Sequence, residues 1–349
     1  MANFVERESV LLRIAKYLFP CKGDKPAEIV RKIIFLCAAV VLIVSLCCII
    51  VSAVNKMDDT HLNDELSEIY HSMGSTTVQI DTVKKEQLQE EYPEVQEQFL
   101  PLLEINEDVI GWITIGDEDD PVIDYVVMQG DDNSYYLTHN YKGESSVSGA
   151  IFADYHDPIT AESQPANIIL YGHNMVSGEY FAKLTRYNNY KVSGSMGLSF
   201  YEQYPTITFS TLYKTSTYKI FAGMLVNTRE SEGEVFNYIG QRNFSSKSEF
   251  DEYCASILDR TTFYNPDVNL KYGDNLLTLS TCTFDYDSSL QFRWVVFARE
   301  VREGESEEVD VSRAYENPDP LYFDYYYSIY GGEWGGRKWP ADMIQGYSY

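Results

Sequence analysis

Hydrophobic and polar positions change rhythm several times along the chain. Residues 33–54, IIFLCAAVVLIVSLCCIIVSAV, contain no charged side chain. A charge-free run of this length can cross a bilayer as a helix, which needs ~20 residues. It is too long for a signal-peptide core, and no small-residue cleavage site follows. Arg31 and Lys32 abut one end, and Asp58, Asp59, Asp64 and Glu65 lie beyond the other. The positive-inside rule then predicts a cytoplasmic N-terminus over 1–32, a single-pass anchor at 33–54 and everything after it outside. Residues 55–93 are polar and acidic and read as a stalk. Helical composition runs over 82–99, interrupted at Tyr92-Pro93.

From Phe99 the period shortens. Apolar runs at 111–115, 122–128, 149–152, 167–171, 206–212, 218–226, 276–281 and 292–301 alternate with Gly, Asp and Asn turns. Eight short strands with few helices predict a mostly β domain over 94–302, a closed or nearly closed β-barrel, although the pattern alone equally permits a sandwich. Helical insertions are expected at 180–187, 196–203 and 247–258. Residues 303–349 change again, from the acidic run Glu303-Gly304-Glu305-Ser306-Glu307-Glu308 to an aromatic tail without a clean period. That tail reads either as a flexible extension or as a flap packed over the domain, since so many aromatics seldom stay solvated.

Charge and cysteine usage narrow the function. A net charge of −26 argues against a nucleic-acid partner. No CxxC pair or Cys/His cluster has zinc spacing, and no EF-hand or HExxH pattern is present, so no metal or cofactor is expected. Of the six cysteines, Cys37, Cys47 and Cys48 fall in the apolar run, and only Cys254 and Cys282 lie in the β domain. Those two could form a structural disulfide in an exported protein. Cys282 also suits chemistry. It ends the strand 276–281, a polar loop at 285–289 follows, and Arg293 starts the next strand. A thiol needs a base and positive potential to become a nucleophile. His173, in the turn after the apolar strand 167–171, could be that base. His61 and His71 fall in the stalk, and His139 and His156 in Asn/Asp-rich loops. Arg299 lies on the same strand face as Arg293, so periodicity does not separate the two.

At these residues the chain resembles the sortases, membrane-anchored cysteine transpeptidases of Gram-positive bacteria. Thr278-Leu279-Ser280-Thr281-Cys282 matches the family's TLxTC motif, Tyr171-Gly172-His173-Asn174 its histidine motif, and Arg293 its arginine on the following strand. The TLSTC form, the helix expected before the cysteine strand and Asp108-Val109-Ile110-Gly111-Trp112-Ile113 are most like class B. The resemblance implies an eight-stranded sortase-type barrel. It implies Cys282 as the nucleophile that attacks after Thr in an LPxTG- or NPxTx-like C-terminal sorting signal. It further implies His173 as acid and base, and Arg293 steadying the oxyanion or the substrate backbone. Asn133, Leu137, Ser280 and Thr281 correspond to groove residues. A proline common in relatives is absent from 123–129, which leaves the groove edge less defined. The implied partners are sorting-signal surface proteins or pilins, and a peptidoglycan or pilin-lysine amine as acceptor. Two other readings stay open: a membrane-tethered cysteine peptidase that hydrolyses, and a non-enzymatic adhesin or scaffold suggested by the tail.

Overall fold

Short runs of β-branched and aromatic residues, each cut off by Gly, Asp or Asn, pair into one closed sheet. The computed structural model describes residues 15–72, 82–117, 120–188, 196–283 and 292–347. Its barrel strands are β1 (Val109–Asp117), β2 (Asp120–Met128), β3 (Ile151–Ala153), β4 (Asn167–Tyr171), β5 (Thr206–Thr211), β6 (Thr215–Val226), β8 (Leu276–Thr283) and β9 (Phe292–Glu300). The order around the barrel is β1-β2-β3-β4-β8-β9-β6-β5, and β5 pairs back onto β1. The closed barrel therefore holds and the sandwich does not. Pairing is antiparallel except for β2 with β3 and β4 with β8. That second parallel pair places the end of β4 beside the end of β8, which decides where the chemistry sits.

Alternation sorts the strand side chains between two cores. Ile113, Ile168, Leu170, Leu277, Leu279, Trp294 and Val296 fill the barrel interior. Val295, Phe297 and Leu276 face outward, under the helix Lys247–Arg260, which buries Phe250, Cys254, Ile257 and Leu258 against them. Ser246 caps that helix, its side chain accepting from the Glu249 amide, a contact worth ~1 kcal/mol. The helix runs two residues beyond the expected 247–258. The insertions at Phe181–Tyr187 and Leu198–Gln203 are a 3-10 and an α segment.

A single helix, Pro26–Ser72, contains the charge-free run, and its stretch Pro26–Ile50 is long and apolar enough to cross a membrane. The chain divides into two compact units, residues 1–61 and 62–349. Within the second unit the last turns of this helix, inside the segment expected as a stalk, supply core. Leu62 and Leu66 are buried with Leu100, Leu102 and Trp112. Tyr70 stacks on Trp112 at 4.4 Å. Asp124 gathers Trp112 Nε1 (2.7 Å), Ser67 Oγ (2.6 Å) and Thr114 Oγ1 (2.9 Å).

The aromatic extension is packed. The short β10 (Tyr315–Glu316) pairs with β7 (Phe263–Tyr264). Tyr322, Phe323 and Tyr326 join the barrel core, while Trp339, Met343 and Ile344 join the outer one. Asp259 is the hub. Its carboxylate accepts from Arg337 Nη2 (2.8 Å) and Trp339 Nε1 (2.8 Å), and its carbonyl from the Leu321 amide (2.7 Å).

Candidate active site

The parallel β4–β8 pair sets Tyr171 beside Ser280. Past that point the Gly172 amide donates to the Ser280 carbonyl (3.2 Å), and Thr281 Oγ1 donates to the Gly172 carbonyl (2.8 Å). Gly172 tolerates no side chain here, because a Cβ would meet the Phe181 ring at 2.8 Å. Asn174 Nδ2 then donates to the Cys282 carbonyl (2.9 Å). The histidine turn is thus tied at two points to the end of the cysteine strand. Its far side is held as well. Phe181 donates its amide to the His173 carbonyl (3.0 Å). Tyr180, at φ +54°, which non-glycine residues seldom adopt, stacks on Tyr125 and donates its amide to the Tyr125 hydroxyl.

Cys282 and Arg293 are direct cross-strand partners in the antiparallel β8–β9 pair, so their side chains leave the same face. Arg293 Nη1 donates to the Phe292 carbonyl (3.3 Å). His173 Nε2 lies 2.8 Å from the Leu137 carbonyl. A carbonyl only accepts, so Nε2 carries a hydrogen, and the neutral ring keeps its lone pair on Nδ1. Neither Cys254 nor Cys282 is in a disulfide. Arg299, by contrast, is buried at the other end of β9, its guanidinium held by Glu305 (2.6 and 2.7 Å) and the Asn269 carbonyl (2.7 Å). That separates the two arginines that strand period could not.

One cavity of about 250 Å³ collects every residue named from the sequence: Asn133, Leu137, His173, Ser280, Thr281, Cys282 and Arg293. Phe152, Tyr238 and Ile239 line it too and were not foreseen. Tyr238 and Ile239 come from the long connection after β6, which has no period to read. Their role becomes visible only because the Tyr238 hydroxyl meets Ser280 Oγ at 2.8 Å. The polar loop expected at 285–289 lies outside the described residues. Among the described residues, no group of three or more His, Cys, Asp or Glu side chains is placed to hold a metal.

Behind the cavity lies a buried ionic network. Asp154 accepts from Asn133 Nδ2 (2.9 Å), the Tyr171 hydroxyl (2.8 Å) and the His156 amide (3.0 Å), and pairs with Arg242 (2.9 Å). Burial disfavours its charge, but the hydrogen bonds from His156, Tyr171 and Asn133 outweigh that and hold its pKa at about 2. Asp157 also pairs with Arg242 (2.9 Å) and accepts from the Ile169 amide (2.8 Å). For Asp157 burial wins, and its pKa is pushed up to about 6. A raised carboxyl contributes stability below its unfolded pKa and loses it as the pH climbs through the folded value. Asp157→Asn keeps an acceptor for Ile169 and removes the titration. The melting-temperature gap between this variant and the parent should therefore move in the variant's favour from about pH 4 to about pH 7. A gap independent of pH would contradict this.

Comparison with known proteins agrees with this geometry. The sortase-domain family model matches residues 121–301. Sortase B of Listeria monocytogenes is 34% identical over 194 residues, covering 56% of this chain and 70% of that protein. The structure of a Staphylococcus aureus sortase B–substrate complex aligns with a TM-score of 0.55 at 25% identity, over 71% of this chain and 99% of that one. Sortase B from B. anthracis in complex with AAEK1 aligns with a TM-score of 0.53 at 27% identity, again over 71% and 99%.

Proposed function

The chain belongs to the sortase family of cysteine transpeptidases, most like class B, and from that premise we propose that Cys282, His173 and Arg293 carry out acyl transfer from a sorting signal to an amine. The observation that supports it is the direct Cys282–Arg293 pairing beside the tethered His173 turn, all opening on one cavity. In this reading the Cys282 thiol passes its proton to the Nδ1 lone pair of His173, and the resulting thiolate attacks the carbonyl carbon of the signal's Thr. An S–C bond forms, and the guanidinium of Arg293 faces the oxyanion with fixed donors. The C–N bond then breaks as His173 protonates the leaving amine. An incoming amine attacks the thioester, gives its proton to His173, and the C–S bond breaks to regenerate the thiolate. Asn133, Leu137, Ser280 and Thr281 would seat the signal. Asn133 is presented rigidly, since its amide is held by Asp154 and its oxygen accepts from the Tyr155 amide (3.1 Å).

The acceptor amine is assigned to a peptidoglycan stem or cross-bridge, giving wall anchoring of surface proteins in a Gram-positive envelope; a pilin lysine would give polymerisation. The test is a fluorogenic sorting-signal peptide incubated with and without an added amine. A ligated product supports transfer, whereas hydrolysed product alone in both reactions would make the protein a peptidase. In the same assay Arg293→Lys should lower kcat about 10²-fold, because lysine keeps charge but loses the planar fork. If Arg299→Lys were the damaging change at equal folded content, the arginine assignment would be wrong.

Topology belongs to the same proposal. The 33–54 run has basic residues before it and acidic residues after it. A charge within it would cost about 2.5–3.5 kcal/mol, so this run is the segment that inserts, with the catalytic domain outside. Protease added to intact protoplasts should digest the 94–302 domain. Protection until lysis would overturn this placement.

A further inference from the structure

Arg293 stands one residue inside the start of β9. A strand end of this kind frays unless something packs on it. The residue before it, Phe292, is fully buried, and its carbonyl accepts from Arg293 Nη1 (3.3 Å). The Phe292 ring is held from the C-terminal extension. Phe323 stacks on it, with centroids 5.1 Å apart and planes at 14°. Tyr325 stacks on it at 6.4 Å. Phe323 is itself fixed in place. It immediately precedes the helix Asp324–Tyr330, and two residues before it the Leu321 amide donates to the Asp259 carbonyl (2.7 Å). Phe323 and Phe292 lie together in the barrel core with Leu225 and Trp294.

The extension also backs the neighbouring strand. Val226 on β6 is the direct cross-strand partner of Arg293. The next residue, Asn227, donates from Nδ2 to the Gly233 carbonyl (3.0 Å). Gly233, at φ +123°, lies so close to the extension that a Cβ would meet the Asp324 amide nitrogen at 2.6 Å. Val226, Asn227, Phe323 and Asp324 line one small cavity of about 100 Å³. The backbone beside Arg293, along β9 and across on β6, therefore rests on residues 323–325. Those residues lie beyond the span that matches the family model, which ends at 301.

We propose that the C-terminal extension is a functional part of the active site, with Phe323 the positioning residue that holds Phe292 and, through it, the Arg293 guanidinium. The inference rests on the acyl-transfer reading above and adds to it a residue outside the barrel. Phe323 does not line the cavity that holds Cys282, so it acts through Arg293 and not on substrate. A guanidinium offers fixed donors to an oxyanion only while its fork is aimed, and a displacement of about 1 Å can cost 10²-fold in rate. Truncating Phe323 leaves a void beside Phe292, into which that ring and the start of β9 can shift. The residues that would seat the signal, Asn133, Leu137, Ser280 and Thr281, are on other segments, so the loss falls on kcat.

The test uses the full chain in detergent micelles with a fluorogenic sorting-signal peptide, below the melting temperature of every variant. Phe323→Ala should lower kcat about tenfold, with KM within about twofold of the parent. Phe323→Tyr, which keeps the ring, should recover most of that loss. Met343→Ala controls for stability: it truncates a buried side chain of the extension in the outer core and should leave kcat within about twofold of the parent. The decisive comparison is made in the Arg293→Lys background. With the fork already gone, Phe323→Ala should lower kcat by less than about twofold more, because residues that act through one another are not additive. An equal loss in both backgrounds, an equal loss from Met343→Ala, or parent-like kcat in folded Phe323→Ala would overturn the proposal and leave the extension a stabilising cover. Where Phe323→Ala does not fold, Phe323→Leu, which removes the stack but keeps apolar volume, carries the same comparison. Parent-like kcat in Arg293→Lys would instead overturn the arginine's role in the acyl-transfer reading.

Discussion

Cys282→Ala should lower turnover of a sorting-signal peptide by at least ~10³-fold while leaving the melting temperature close to that of the parent. The residue ends β8 half-exposed at the cavity rather than in either hydrophobic core, so removing its sulfur opens no internal void. The chemistry has no substitute, because Ser280 is turned to Tyr238 and the other cysteine of the barrel domain, Cys254, is buried in the outer core. A fluorogenic cleavage assay with a parallel thermal melt decides the point. Parent-like cleavage by the alanine variant would remove Cys282 from the mechanism. His173→Ala should be comparably severe, since one ring serves both proton transfers.

Asp259→Ala should cost about 3 kcal/mol of stability. The carboxylate is almost fully buried, and it is the acceptor for the Trp339 indole N–H and the partner of Arg337. Truncation leaves the buried N–H without an acceptor and strips the extension of its main polar anchor. For a domain of this size the melting temperature should fall by roughly 6–12 °C, and limited proteolysis should begin within residues 303–347. Asp259→Asn, which retains an acceptor, should lose less. An alanine variant that melts within about 2 °C of the parent, with the extension still resistant to protease, would show that apolar packing alone holds it.

What could be read from the chain in advance follows the range of the interactions. The strands and the trio His173, Cys282 and Arg293 are written in local pattern, each a turn or strand end with a diagnostic neighbour. The groove residues Ser280 and Thr281 were legible because they adjoin the cysteine on its strand. Tyr238 and Ile239 were not, because they reach the cavity through a connection whose path is set by contacts with β8 and the helix Lys247–Arg260. The tail stayed ambiguous for a similar reason. Its aromatics follow no period because they fill gaps on two different cores rather than one face of a helix or strand. The last turns of the long helix were hidden differently. Leu62 and Leu66 sit among acids, and only the presence of Trp112 opposite them turns a polar stretch into core. Strand period left Arg293 and Arg299 on one face and the resemblance named Arg293; that Arg299 is held instead by Glu305, in the acidic run after the barrel, is a long-range contact that no local pattern announces.

The parallel pairing of β4 with β8 also sets a clock. His173 and Cys282 are separated by most of the domain, and the strands that bring them together adjoin only after β5, β6 and the helix Lys247–Arg260 have been made. Contacts of such long sequence separation form late and slowly. A chain still being synthesised therefore has a thiol and an imidazole that are not yet neighbours. On the proposed mechanism the nucleophile is armed only when the barrel closes, so its reactivity is deferred until the domain has folded.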